Sequence, residues 1–138
     1  MAQPVINYLA VLAAAVVSMG LGFLWYGPLF GKLWIQLMAF DRKKMDAAKK
    51  KGMGKTFFVA FVSTLVMSYV LAHFVDYAEA KTILGGAVLG FWLWIGFFAT
   101  TQLGSVLWEG KSWTLYLINI FYHIVNLGIM AVILVIWV

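Results

Sequence analysis

The residues of this 138-residue chain whose types and spacing could do chemistry are few, and they lie inside apolar sequence. In NIFYHIVN, residues 119 to 126, a histidine stands between two asparagines. On a helix Tyr116, Asn119, His123 and Asn126 fall at steps of three, four and three, which places them on one face. Thr101 and Ser105, with Thr100 and Gln102 alongside, form a companion set, and Thr64 and Ser68 are one turn apart further back. Two roles are open to the cluster Thr64, Ser68, Thr100, Thr101, Asn119, His123 and Asn126. In the first, a neutral imidazole, amides and hydroxyls hydrogen-bond between helices, each contact contributing on the order of 0.6 to 2 kcal/mol to assembly. In the second they line a path or pocket for a small solute or proton, with His123 as the group whose charge could change near neutral pH.

Other chemistries have less to build on. Without a single cysteine there is no thiolate nucleophile, disulfide or Cys-type metal site. His73 and His123 belong to different apolar segments and different depths, so a metal site has no starting pair, and His73, three residues before Asp76, reads as a solvated segment end. Ser63 and Ser105 have no histidine–acid pair to activate them, and no Gly-Lys-Ser phosphate loop is present. The expectation is a chain that is not an enzyme, with no cofactor, no metal and no catalytic residue.

These side chains must be positioned by membrane helices. Hydrophobic residues make up 64% of the chain and charged residues 11%, against an apolar share of about 45 to 50% in soluble domains. Four runs free of Asp, Glu, Lys and Arg, approximately 4–27, 56–75, 82–108 and 113–138, meet the roughly 20 residues that a spanning helix requires. Such runs fold as helices, because a segment in lipid must satisfy its own backbone. The first is expected to be a permanent span: MAQP carries no Lys or Arg, and the apolar run exceeds a signal-peptide core. By depth, Asn119 and Thr100/Thr101 lie on the same side of their span midpoints and are expected to meet.

Eight of the ten basic residues fall within the connection 28–55. An excess so local speaks for topology and lipid and against nucleic acid. The positive-inside rule assigns this connection, and by alternation Glu109-Gly110-Lys111-Ser112, to the cytoplasm, leaving both termini outside. Within it Phe30, Leu33, Trp34, Leu37 and Met38 recur at helical spacing, which predicts an amphipathic interfacial helix over 29–40. Asp41 then caps a basic helix whose Lys43, Lys44, Lys49, Lys50 and Lys51 would contact anionic lipid headgroups, at about 1 kcal/mol each. The resulting fold class is all-α: a bundle of four transmembrane helices with an amphipathic and basic interfacial segment between helices 1 and 2, forming a single domain.

Small residues give candidate packing seams, Ala14, Ser18 and Gly22 on the first span and Gly86 and Gly90 on the third, for use within the chain or with a second copy in a homo-oligomer. LWYG at 24 to 27 is echoed by LWIG at 93 to 96, an offset of half the chain. So few positions match over the first span that coincidence is the expectation.

GFLWYGPLFGKLW, residues 22 to 34, together with Asn7, the LWIGF segment followed by Thr100 and Thr101, and Asn119 with Tyr122 and His123, resembles the small bacterial membrane proteins catalogued as domain of unknown function 1761. The resemblance covers essentially the whole chain and is most specific in WYGPLFGK. It implies a four-span bacterial membrane protein and brings no established activity, substrate or catalytic residue with it; the expected location is the bacterial inner membrane. In physical terms Pro28 lacks the amide hydrogen a continuing helix needs, while Gly27 and Gly31 tolerate unusual backbone angles. A sharp interfacial elbow anchored by Trp25, Tyr26, Phe30 and Trp34 is expected there. The leading expectation for function is a structural, scaffolding or regulatory bundle that self-associates. The alternative is an oligomeric channel or carrier for a small solute, lined by the polar residues of helices 2, 3 and 4.

Overall fold

The computed structural model describes residues 6–37 and 54–137. Every described element is helical, as uncharged sequence in lipid requires. Four continuous stretches, Tyr8–Leu29, Gly54–Tyr77, Ile83–Leu107 and Trp113–Ile136, are long and apolar enough to cross a membrane, at 22, 24, 25 and 24 residues. At about 1.5 Å per residue each exceeds the ~30 Å hydrocarbon core. The chain is a multi-pass membrane bundle.

The first span begins as α1 (Tyr8–Leu24), capped by the Asn7 side chain, whose oxygen accepts from the Leu9 and Ala10 amides. It then widens over Trp25–Leu29, where the Phe30 amide donates to the Trp25 carbonyl five residues back, at 2.9 Å. The wider turn accommodates Pro28, which has no amide to donate. The elbow comes next, leading into α2 (Gly31–Leu37). Neither Gly27 nor Gly31 uses a left-handed angle, contrary to the expectation from sequence. Gly31 is required for another reason: a Cβ there would lie 2.6 Å from the Tyr26 carbonyl oxygen, whereas Gly27 has open space. Phe30 and Trp34 stack back on Trp25 and Tyr26, with ring centroids 4.8 and 5.4 Å apart, and Lys32 and Gln36 face outward. The predicted basic helix with Lys43, Lys44, Lys49, Lys50 and Lys51 lies outside the described residues.

The second span is α3 (Gly54–Tyr77). It closes with the Ala80 amide on the Val75 carbonyl and the Glu79 amide on the Asp76 carbonyl, a motif that needs a left-handed residue. Glu79 adopts it, at φ 54°. Thr82 caps the third span, which runs as α4 (Ile83–Leu93), a second wide turn Trp94–Phe98, α5 (Ala99–Gln102) and α6 (Gly104–Leu107). Gly110 supplies φ 70° in the next connection, and Ser112 caps the fourth span, α7 (Trp113–Ile136).

α7 is the hub. It packs on α1, α3 and α4, and α1 also packs on α3. In contrast α3 and α4, neighbours in sequence, flank an apolar groove of about 310 Å³ that includes Met67, Phe74, Phe97 and Phe98. The core is formed by Ala10, Val11 and Ala14 of α1, Leu71, Ala72 and Val75 of α3, Trp94 and Ala99 of the third span, and Leu127, Met130, Ala131 and Leu134 of α7. Both small-residue seams are spent inside the chain. A Cβ on Gly90 would meet the Gly128 amide nitrogen at 3.2 Å and one on Gly86 the Ala131 carbonyl at 3.3 Å, while Gly22 faces the Tyr122 hydroxyl at 3.2 Å. Ala14 and Ser18 are buried. The outer surface carries Phe58, Leu84, Val66 and Trp92, large apolar side chains suited to lipid.

Candidate functional site

The polar residues of α7 meet the first and third spans. Tyr26 of the wide turn donates its hydroxyl to the Asn119 Oδ1 at 2.7 Å, and Tyr116 donates to the Ala99 carbonyl at 2.6 Å. Two indoles add to this: Trp25 Nε1 donates to the Ile118 carbonyl at 3.1 Å and Trp94 Nε1 to the Ile120 carbonyl at 2.6 Å. Residues two apart on a helix point to nearly opposite sides about 3 Å apart along its axis. The fourth span is therefore gripped from both flanks at one level, around Asn119.

Both gripping tryptophans open a wide turn, Trp25–Leu29 and Trp94–Phe98. The LWYG/LWIG echo is thus matched in backbone geometry and in hydrogen bonding. A wide turn inserts one residue and changes the helix rotation locally, which aims each indole across the interface. Polarity alone does not single out Trp94; its correspondence to Trp25 is the signal that identifies it.

His123 and Asn126 behave differently from Asn119. The His123 ring lies against Phe98 and Tyr122, with centroids 4.7 and 5.1 Å away, but its Nδ1 is buried without a hydrogen-bond partner. Asn126 is 3% exposed and its Oδ1 is equally unpartnered. The expected run of interhelical bonds along the stripe is realised at Tyr116 and Asn119 only.

Elsewhere, Ser68, fully buried, donates to the Val11 carbonyl at 2.9 Å and ties α3 to α1. Thr64 donates to Ala60 of its own helix and reaches the Met19 sulfur at 3.8 Å. Thr100 donates to Gly96, and Thr101 to Phe97, each one turn back. The threonines do not bond Asn119 as their shared depth suggested, because their hydroxyls close on their own helix. Thr101 and Asn119 do line one cleft of about 460 Å³ at the Glu109–Ser112 end, together with Gln102, Ser105, Glu109 and Lys111. Among the described residues no three His, Asp or Glu side chains gather as metal ligands.

The sequence profile of a family described as "Protein of unknown function (DUF1761)" matches residues 9–135. The chain belongs to the DUF1761 family. No curated protein and no solved structure matches this DUF1761 chain. The WYGPLFGK segment within the matched range is the one that builds the wide turn, the Gly31 contact and the Trp25 and Tyr26 bonds to α7, and Asn119 stands at the centre of those bonds.

Proposed function

We propose that this DUF1761 protein is a structural, scaffolding or regulatory element of the membrane, without catalytic chemistry, resident in the bacterial inner membrane with its lysine-rich connection in the cytoplasm and its termini outside. The observation that carries the reading is the use made of the α7 polar groups. The Asn119 oxygen, the Tyr116 hydroxyl and the backbone carbonyls of Ile118 and Ile120 are taken up by bonds to neighbouring spans. Groups committed in this way hold a bundle together and leave little to line a path. Self-association in this reading uses the outer flank of α3 and α4, whose apolar groove has no cover among the described residues, since the small-residue seams are occupied internally. The competing channel or carrier reading, lined by Thr64, Thr100, Thr101, Asn119, His123 and Asn126, draws its support from the unpartnered atoms of His123 and Asn126.

Water access separates the two. The chain has no cysteine, so His123→Cys and Asn126→Cys can each be probed with a small water-soluble thiol reagent. Silence at both positions in a folded sample is the expected result, and labelling at both overturns it in favour of a path. Asn119 is unsuited to this test because it also borders the Glu109 cleft. In intact cells Lys49→Cys should resist an impermeant reagent and Lys81→Cys should react; the reverse pattern inverts the orientation. A native mass spectrum gives the subunit count, and a monomer would remove self-association from the proposal.

A further inference from the structure

The cleft at the Glu109–Ser112 end combines charges and hydrogen-bonding groups whose side chains bond nothing among the described residues. The Gln102 amide, the Ser105 hydroxyl, the Glu109 carboxylate and the Lys111 ammonium make no side-chain hydrogen bond or ion pair among the described residues. Asn119 spends its oxygen on Tyr26 and leaves its Nδ2 without a partner among them. Glu109 and Lys111, two residues apart on one turn, stay unpaired with each other, so the cleft holds one fixed charge of each sign. It opens where the third span ends and the fourth begins, at the level of Trp108, which is 87% exposed, and Trp113, as residues of the headgroup region are.

We propose that this cleft binds a phosphoethanolamine group, the headgroup of a zwitterionic phospholipid. Lys111 meets the phosphate as a point charge, with the Asn119 Nδ2 and the Gln102 amide as added donors. Glu109 takes the primary ammonium, whose three N–H donors find further acceptors in the Ser105 Oγ and the Gln102 Oε1. This pairing also sets the preference. A trimethylammonium group has no N–H to offer, and Trp108 is the one aromatic face among the described residues that line the cleft. An anionic headgroup with an uncharged glycerol leaves Glu109 unmatched. The opposite end of the bundle makes a useful contrast: its cavity of about 320 Å³ has two carboxylates, Asp76 and Glu79, against Lys81, and the Asn7 amide there is already given to the Trp137 carbonyl at 3.2 Å.

The test uses the full chain in detergent micelles, titrated with phosphatidylethanolamine, phosphatidylcholine or phosphatidylglycerol of identical acyl chains and read by native mass spectrometry of retained lipid. Phosphatidylethanolamine is expected to bind about tenfold more tightly than phosphatidylcholine, the value of one charge-assisted hydrogen-bonded contact. Glu109→Gln should erase that margin without weakening phosphatidylglycerol, and Lys111→Gln should weaken both zwitterionic lipids together. Both changes lie in the connecting turn, outside the core, so folding is preserved. Equal retention of the two zwitterionic lipids by the unaltered chain, or a margin that survives Glu109→Gln, overturns the proposal. Competition by glycerophosphoethanolamine, which has no acyl chains, identifies a free zwitterion as sufficient; failure to compete identifies the intact lipid as the source of the same group. These outcomes are independent of whether His123 and Asn126 are dry.

Discussion

Trp25 and Trp94 each use a single N–H against the backbone of α7, at carbonyls that already serve their own helix. In lipid no water competes for that donor, so removing it is felt even though the ring could be kept. Trp94→Phe and Trp25→Phe should each lower stability by roughly 1 kcal/mol, read as a lower melting temperature of the detergent-solubilised protein. Trp92→Phe is the control, since Trp92 is 65% exposed to the surroundings and bonds nothing across the bundle. Equal melting of all three variants would mean that the indole bonds contribute nothing. The polarity of NIFYHIVN points to Asn119 correctly, but its hydrogen-bond partner, Tyr26, sits in the wide turn, where sequence alone suggests an interfacial anchor. Polar pattern marks which residues need partners; the partner's identity depends on helix rotation, which a run of apolar residues does not encode.

At the level of the element, the contact of α4 with α7 rests on missing side chains. Gly90 lets the Gly128 backbone approach so closely that an added Cβ would stand 3.2 to 3.3 Å from it, and backbone cannot swing away as a side-chain tip can. Gly90→Ala should therefore force the third and fourth spans apart and cost about 1 to 3 kcal/mol. Gly96→Ala, in the same span but with open space at its Cβ, should be neutral or slightly stabilising. Thermal unfolding of the pair decides it; matching losses would remove the close-packing account. The four spans are legible as elements because hydropathy reports on length and charge directly. The wide turns are less so. Pro28 announces one of them, but Trp94–Phe98 has no proline, and only its likeness to Trp25–Leu29 marks it.

At the scale of the whole molecule, the described residues form a hub with three neighbours and one open flank. Depth places Thr101 and Asn119 together and they do share a cleft, yet depth leaves the rotation of each helix undetermined, so the expected bond between them is absent. The order of packing is similarly beyond sequence, because every span offers apolar residues on several faces. Cysteine pairs can map it in a chain that has none of its own. Phe23→Cys with Phe57→Cys, whose native rings meet edge to face at 5.4 Å between the first two spans, should be joined by a short bifunctional thiol linker. Val70→Cys with Phe97→Cys, on opposite walls of the apolar groove, should join only through a longer bifunctional linker. Direct oxidation of the second pair would close the flank and contradict the hub.

The central position of α7 also bears on how the protein is made. Its residues leave the ribosome after those of the other three spans, so α4 and the two gripping tryptophans have nothing to hold until the fourth span has been made. At about 5 to 20 residues per second, the earlier helices wait several seconds in the bilayer with Gly90, Trp25 and Trp94 facing lipid or the insertion machinery. Nascent chains arrested before Trp113 should accordingly be the ones that quality-control proteases recognise.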